Sequence, residues 1–396
     1  LINEAAIKAY LLERFNDIIH IDITRIGSGV QGSGFLIEMK TSMGVRSYVI
    51  KTLFPEGLGH DYPSDRAAVF LLDLDEYRNL PKHVKATDVL SEMDDGSIRS
   101  IGGGKEYYLL MERAEGEDYF NDLKLFSKKN RLDTLDRKKI TSMTSYLAGI
   151  HAVKKDSPAL YRRKLRDTVG HGECLMGVFD TYPDGIIPPH EMSNIIKKSI
   201  DWITKLKLKH ERLSQIHGDF HPGNIWFKEV ESRESGVDSQ NNDNNPIIPL
   251  NPPFPHSGGF AEAKEKGGWG DLKEREYRDI EFILLDRSRG PWGDPADDVT
   301  ALTINYIFFS IINHGDVRGA YREGLHLFFD EYIRESRDEE ITAVAAPFYA
   351  FRGAVVANPV FYPEVTAEQR KRIFRFVLNV LDDETFKVER VNDYLR

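Results

Sequence analysis

One change of periodicity, close to Glu112, constrains the fold of this 396-residue chain more than any other feature. Up to that point the apolar residues fall in short, β-branched and mostly alternating runs: Ile18 to Ile26, Phe35 to Met39 and Ser47 to Leu53. Gly-rich or Ser-Met-Gly turn material separates them, the pattern of an antiparallel meander. A helix precedes the meander at Ile2 to Phe15, and a second follows at Asp65 to Leu80, closed by Pro81. Val84 to Leu90 and Tyr107 to Met111 read as two further strands, one on either side of the Gly102, Gly103, Gly104 run. Beyond Glu112 helical spacing takes over. Ile140, Met143, Leu147 and Ile150 form one buried stripe, and from Val299 helical patterns run almost to the end, interrupted at Pro347, Pro359 and Pro363. The chain reads as α+β, its sheet early and its remainder mainly helical.

A chain this long exceeds the usual size of one core, so two lobes are expected, residues 1–112 and 113–396. Residues 229–278 are rich in Asn, Ser, Gly and Pro and lack periodicity. Such a composition buries too little apolar surface to offset the entropy of ordering, and a flexible surface insertion is expected there. Lys plus Arg total 53 against 63 for Asp plus Glu, a formal net charge of −10, which excludes a general binder of nucleic acid or anionic membrane. No uninterrupted apolar run approaches the roughly 20 residues that cross a bilayer. The single Cys174 cannot form an intrachain disulfide, so a soluble, cytoplasmic protein is expected. Nothing around Cys174 suits a catalytic thiol, and it reads as a small core or loop residue.

The segment Ile216-His217-Gly218-Asp219-Phe220-His221-Pro222-Gly223-Asn224-Ile225-Trp226-Phe227 carries the strongest chemical signal. Phosphoryl transfer needs a carboxylate to orient and deprotonate the attacking hydroxyl, and a neutral oxygen ligand to help hold Mg²⁺ against the phosphates. Asp219 and Asn224 have the chemistry for those two tasks. Gly218 and Gly223 permit turns, and Ile225 to Phe227 leads back into a strand. A second apolar run, Phe282 to Leu285, ends in Asp286, a hard-cation ligand at the exit of a strand.

His217, Gly218, Asp219, His221 and Asn224 together match a His-Gly-Asp-x-His-x-x-Asn motif, and the chain here resembles the aminoglycoside phosphotransferase and choline kinase superfamily. The resemblance implies a two-lobed, protein-kinase-like fold, with a nucleotide-binding first lobe and a helical second lobe that carries catalysis and the acceptor. It implies Asp219 as catalytic base, Asn224 and Asp286 as Mg²⁺ ligands, and Asp298, in Gly293-Asp294-Pro295-Ala296-Asp297-Asp298, as a brace for the catalytic loop. His217 and His221 then hold the loop's shape. Their spacing of four would suit zinc only on a helix, which Gly218 and Pro222 oppose. Two departures from the family pattern stand out: Arg287, where an aromatic residue often follows the metal aspartate, and the long insertion between the two motifs.

Gly27, Gly29 and Gly32 form a Gly-x-Gly-x-x-Gly turn followed by strands rather than a helix, which favours a β-turn-β phosphate flap over a dinucleotide fold. Lys51, late in the third strand, resembles the kinase lysine that pairs with the nucleotide's α- and β-phosphates. Glu76 is the expected acidic partner, with Asp65, Asp73 and Asp75 competing. Backbone groups from Glu112 to Ala114 resemble the hinge that receives adenine. The expected activity is transfer of the γ-phosphate of ATP to a small-molecule hydroxyl, aminoglycoside-, amino-alcohol- or sugar-like. By analogy Glu173, Asp180 and Asp184 would receive a cationic acceptor, whereas the basic cluster Tyr161-Arg162-Arg163-Lys164-Leu165-Arg166 would attract an anionic one. The alternatives are a protein kinase, which the missing His-Arg-Asp and Asp-Phe-Gly segments disfavour, and a catalytically silent nucleotide-binding module.

Overall fold

The computed structural model describes residues 2–28, 32–55, 59–76, 84–104, 111, 113–228, 280–287 and 289–396. They divide into two compact units, one ending at Met111 and one carrying the remainder. The expected insertion at 229–278, the strand at 107–110, Gly29 and Glu112 lie outside the described residues.

In the first unit, α1 (Glu4–Arg14) starts on Asn3, whose side chain accepts the Ala6 N–H at 3.2 Å. Three long strands follow, β1 (Ile18–Ser28), β2 (Gly32–Thr41) and β3 (Gly44–Leu53), paired antiparallel in sequence order. The alternation of the sequence places Ile21, Ile37 and Met39 against Ile7 and Leu11 of α1, the small core of this unit. Gly32 has to be glycine, because a Cβ there would lie 1.7 Å from the Thr52 carbonyl oxygen across the β2–β3 ladder. Helix α2 (Pro63–Glu76) comes next, then a short hairpin, β4 (Leu90–Glu92) with β5 (Ile98–Ser100).

The strand expected over Val84 to Leu90 is therefore displaced to Leu90–Glu92. Asp88 turns its carboxylate to Tyr10 Oη (2.6 Å), Ser100 Oγ (2.7 Å) and its neighbour's Val89 N–H (2.8 Å), so a side chain ties this stretch down beside the backbone bond from Ile101 N–H to Val89 O (2.9 Å). The paired strand β5 has no sequence signature, because three residues carry no readable period.

The second unit begins with β6 (Glu117–Asp118), which runs straight into α3 (Tyr119–Phe126). Helices α4 (Thr134–His151), α5 (Pro158–Gly170), α6 (Leu175–Asp180) and α7 (Pro189–Leu206) precede four short strands: β7 (Ser214–Gln215), β8 (Ile225–Phe227), β9 (Phe282–Leu284) and β10 (Trp292–Gly293). Then come α8 (Ala296–His314), α9 (Gly319–Ser336), α10 (Ile341–Val344), α11 (Ala346–Val356) and α12 (Ala367–Asp382). Every residue of α8 from Ala296 to Phe308 is buried, which makes this helix the centre of the unit. Its threonines close on the helix itself or on a neighbour: Thr300 Oγ1 donates to Ala296 O at 2.7 Å, and Thr303 Oγ1 lies 2.7 Å from Tyr349 Oη on α11. No helix of the described residues is long and apolar enough to cross a membrane.

Two ladders decide where chemistry can occur. β8 pairs with β9 through Ile225 opposite Leu284, and β7 pairs with β10 through Gln215 opposite Trp292. The loops 216–224 and 285–291 are thus tied together at both ends.

Candidate active site

Between those ties the two loops are stitched along their length. Ile216 N–H donates to Pro291 O at 2.9 Å, and Leu285 N–H donates to Asn224 O at 2.9 Å. Arg287 sends Nε (3.1 Å) and Nη2 (2.8 Å) to Ile216 O. It serves the backbone of the neighbouring loop.

Gly218 turns the first loop at φ 88°, a conformation that favours glycine. The turn aims two successive amides at one carboxylate, with His217 N–H on Asp298 Oδ2 and Gly218 N–H on Asp298 Oδ1, both at 2.7 Å. His151 Nε2 reaches the same Oδ2 at 3.1 Å, while its Nδ1 lies 2.8 Å from Tyr332 Oη. Asp298 is wholly buried, and burial opposes its charge. The hydrogen bond from His151 and the attraction of the two histidines, with the His217 amide, outweigh that penalty and hold the carboxyl below its ordinary value.

Asp219 follows immediately. Its Oδ1 receives Arg352 Nη1 at 2.7 Å and Arg289 Nη2 at 2.5 Å. Arg352 comes from the middle of α11 and also reaches Gly218 O (3.2 Å) and Asp297 Oδ1 (2.5 Å) through Nη2. Arg289 Nε donates to Gly218 O at 2.7 Å. Burial again opposes the charge on Asp219, but Arg352 and then Arg289 hold its carboxyl far below the usual carboxylate range. The group is ionised at any working pH. Its second oxygen, Oδ2, faces Asn224 Nδ2 at 3.3 Å and His221 Nε2 at 3.6 Å. His221 Nδ1 accepts the Gly223 N–H at 3.1 Å, and His217 Nδ1 accepts the Asp219 N–H at 3.3 Å, so both histidines shape the loop.

Asn224 commits its amide nitrogen to Asp219, with Nδ2 also 3.0 Å from Asp219 O, which leaves its carbonyl oxygen for another partner. Asp286 stands two residues past β9, exposed and in the left-handed region at φ 53°. An amide oxygen and a carboxylate are hard donors of the kind Mg²⁺ takes, and too few to enclose it without phosphates and water. Among the described residues no group of three or more His, Cys, Asp or Glu could hold a metal by itself.

In the first unit, Lys51 lies opposite Gly34 in the β2–β3 ladder, and its Nζ is 3.9 Å from Asp73 Oδ2 of α2. The expected partner, Glu76, is the last residue of α2 and its side chain lies outside the described residues. Gly27 lies opposite Gly34, one residue short of the end of β1, and Gly32 begins β2. Ala114 is half-buried and belongs to no helix or strand.

At Asp219 the second unit carries a half-open pocket of about 390 Å³, the size of a small-molecule site. Glu173, Arg289, Asn305, Phe351, Arg352 and Tyr362 are among its lining residues, whereas Asp180 and Asp184 are not. Neither arginine stood out in the sequence as a functional residue. A signal for Arg352 existed: it is the lone charge in the helical run Ala345 to Ala357, and an arginine buried there must be paired.

No protein-family model and no curated protein matches the chain. Among solved structures it is similar to an ethanolamine kinase of Plasmodium vivax, at 10% identity over 100% of this chain and 82% of that one, with a TM-score of 0.31. It is similar to a choline kinase of Cryptosporidium parvum at 10% identity, covering 99% of this chain and 92% of that one, with a TM-score of 0.30. A glucosamine kinase in complex with glucosamine, ADP and inorganic phosphate gives 14% identity, coverage of 94% and 95%, and a TM-score of 0.33. Similarities this distant define neither nucleotide nor acceptor for the chain, which rest on its own residues.

Proposed function

We propose that the chain is an ATP- and Mg²⁺-dependent phosphotransferase that moves the γ-phosphate to a hydroxyl of a small molecule. What most supports this is the joining of loops 216–224 and 285–291 at both ends, with Asn224 Nδ2 on Asp219. Two segments far apart in sequence thereby contribute a carboxylate, an amide oxygen and a second carboxylate to one region of the fold.

In this reading Asp219 Oδ2 receives the acceptor hydroxyl and takes its proton as the new O–P bond forms and the bond from the γ-phosphorus to the bridging oxygen breaks, releasing ADP. Arg289 and Arg352, fixed on Oδ1, keep that carboxylate ionised and immobile. Asn224 and Asp286 are the residues that would hold Mg²⁺, which when bound offsets the phosphate charge. Asp298 braces the loop through two amides. Lys51, with the turn at Gly27, Gly29 and Gly32, is assigned to the nucleotide phosphates, and the backbone from Glu112 to Ala114 to adenine.

The test is γ-phosphate transfer from labelled ATP with Mg²⁺, using Asp219→Asn beside the parent. We expect a roughly 10²- to 10⁴-fold loss of turnover with ATP affinity retained. Undiminished turnover in the variant would remove Asp219 from the chemistry, and label on a polypeptide instead of a small molecule would make the chain a protein kinase.

A further inference from the structure

The pocket at Asp219 is balanced in charge. Arg289 and Arg352 line it, and so do Asp219 and Glu173. His221 adds no charge near neutral pH, because burial holds its imidazole below the ordinary value. Both guanidinium groups are already committed, Arg352 to Asp219, Asp297 and Gly218 O, and Arg289 to Asp219 and Gly218 O. Glu173 stands exposed, where pairing with an ammonium group would raise affinity at most about five-fold. Neither sign of charge on a ligand is strongly rewarded.

The uncharged polar side chains are largely matched as well. Thr181 Oγ1 donates to Val178 O and receives Asn358 Nδ2, both at 2.7 Å. Asn305 Nδ2 donates to Ala301 O at 2.8 Å, and its Oδ1 has no accessible surface. The rest of the wall is hydrocarbon from four directions: Val178 of α6, Ala301 and Ile304 of α8, Val355 and Val356 of α11, and Phe361 from the loop after α11. Phe361 is 48% exposed, so its ring has surface to give to a ligand.

Besides Asp219 Oδ2, which the reacting hydroxyl takes, one side-chain hydroxyl of the lining stays open. Tyr362 Oη has no hydrogen bond among the described residues and is not sealed in by protein. The residue itself is held firmly. Its ring stands edge-on to Phe308 at 4.9 Å, its N–H donates to Asn358 O at 2.8 Å, and its carbonyl accepts Arg370 Nη2 at 3.2 Å. Burial, with the negative charges of Glu364 and Asp219, pushes the phenol up to about 12, so it stays protonated and can both donate and accept.

Resting on the phosphotransferase reading, we propose that the acceptor is an uncharged alcohol with an apolar body, its reacting hydroxyl on Asp219 Oδ2, a second polar atom on Tyr362 Oη and its hydrocarbon against Phe361. A charged group would be desolvated in the interior without a free counter-charge, and a sugar would press several hydroxyls against hydrocarbon. Tyr362 thereby determines specificity and takes no part in the proton transfer.

The experiment uses the full chain and matched chain-length series: α,ω-diols from butanediol to octanediol, the monoalcohols, ω-amino alcohols and ω-hydroxy acids of the same lengths, and choline, glucose and glucosamine. Binding is measured by titration calorimetry without nucleotide, and transfer with labelled ATP and Mg²⁺. Diols should bind and accept phosphate in preference to the charged members of equal length, tightening roughly 2- to 4-fold per added methylene until the pocket is full. Tyr362→Phe should raise the diol KM roughly 2- to 10-fold and shrink the preference for a diol over its monoalcohol, a change that altered packing alone would not make. Phe361→Ala, at an exposed position, should weaken long diols more than short ones. Equal or better binding of an amino alcohol, choline, a hydroxy acid, glucose or glucosamine than of every diol overturns the inference and leaves phosphotransfer standing, as does a diol-over-monoalcohol preference that is absent or survives Tyr362→Phe. No binding by any diol at millimolar concentration also overturns it, while absence of Mg²⁺-dependent ATP turnover with every probe removes the underlying reading instead.

Discussion

Replacing Asp298 by asparagine should destabilise the helical unit by about 2–4 kcal/mol. Three donors converge on this fully buried carboxylate, the amides of His217 and Gly218 at 2.7 Å each and His151 Nε2 at 3.1 Å. An asparagine keeps one oxygen and turns an NH₂ toward a donor that needs an acceptor. One buried backbone N–H is then orphaned, at about 1–3 kcal/mol, and the remaining bonds lose their charge assistance, about another 1 kcal/mol. Because the folded-state carboxyl is held below its ordinary value, its contribution is fully present above the ordinary aspartate range and fades as the pH falls through the lower folded value. The gap between parent and variant in urea denaturation, followed on the transition of the helical unit, should therefore be full at pH 7 and narrow below about pH 4. A variant whose midpoint at pH 7 matches the parent, or a gap that widens in acid, would show that the carboxylate does not carry the loop.

Other substitutions test other parts of the same picture. Gly32→Ala sets a Cβ against the Thr52 carbonyl and should cost the first unit about 1–3 kcal/mol with a weakened affinity for ATP; an unchanged melting temperature and affinity would refute the close approach. Cys174 is buried, with its thiol pushed up to about 11 by that burial, so a thiol reagent at pH 8 should label it only after unfolding. Rapid stoichiometric labelling of the folded protein would contradict this.

Much of the architecture was legible because it is written locally. The meander from Ile18 to Leu53 alternates along its length, and the loop from His217 to Asn224 contains its own turn residues, so both could be read without knowing their surroundings. Pro347 marks the first turn of α11, and Pro359 and Pro363 follow its end at Val356, as proline's missing donor requires. Partners fixed by tertiary packing were not readable. Arg352 meets Asp219 across 133 residues and Arg289 meets it across 70, and no spacing rule links such positions. The acid that partners Lys51 was not readable for a related reason: helical phase places several carboxylates on α2, only the depth and rotation of that helix bring Asp73 to 3.9 Å, and the side chain of Glu76 lies outside the described residues.

The register of β8 against β9 has one more consequence. Lys228 N–H donates to Glu281 O at 3.1 Å, closing the hairpin at the end remote from Asn224 and Asp286. Chain added or removed beyond that closure leaves every rung between it and the reacting loops in place, and a doubling of loop length changes the closure free energy by only about 0.6 kcal/mol. This closure is therefore a position where peptides or whole domains can be grafted at little cost to the two ladders that hold the Asp219 loop.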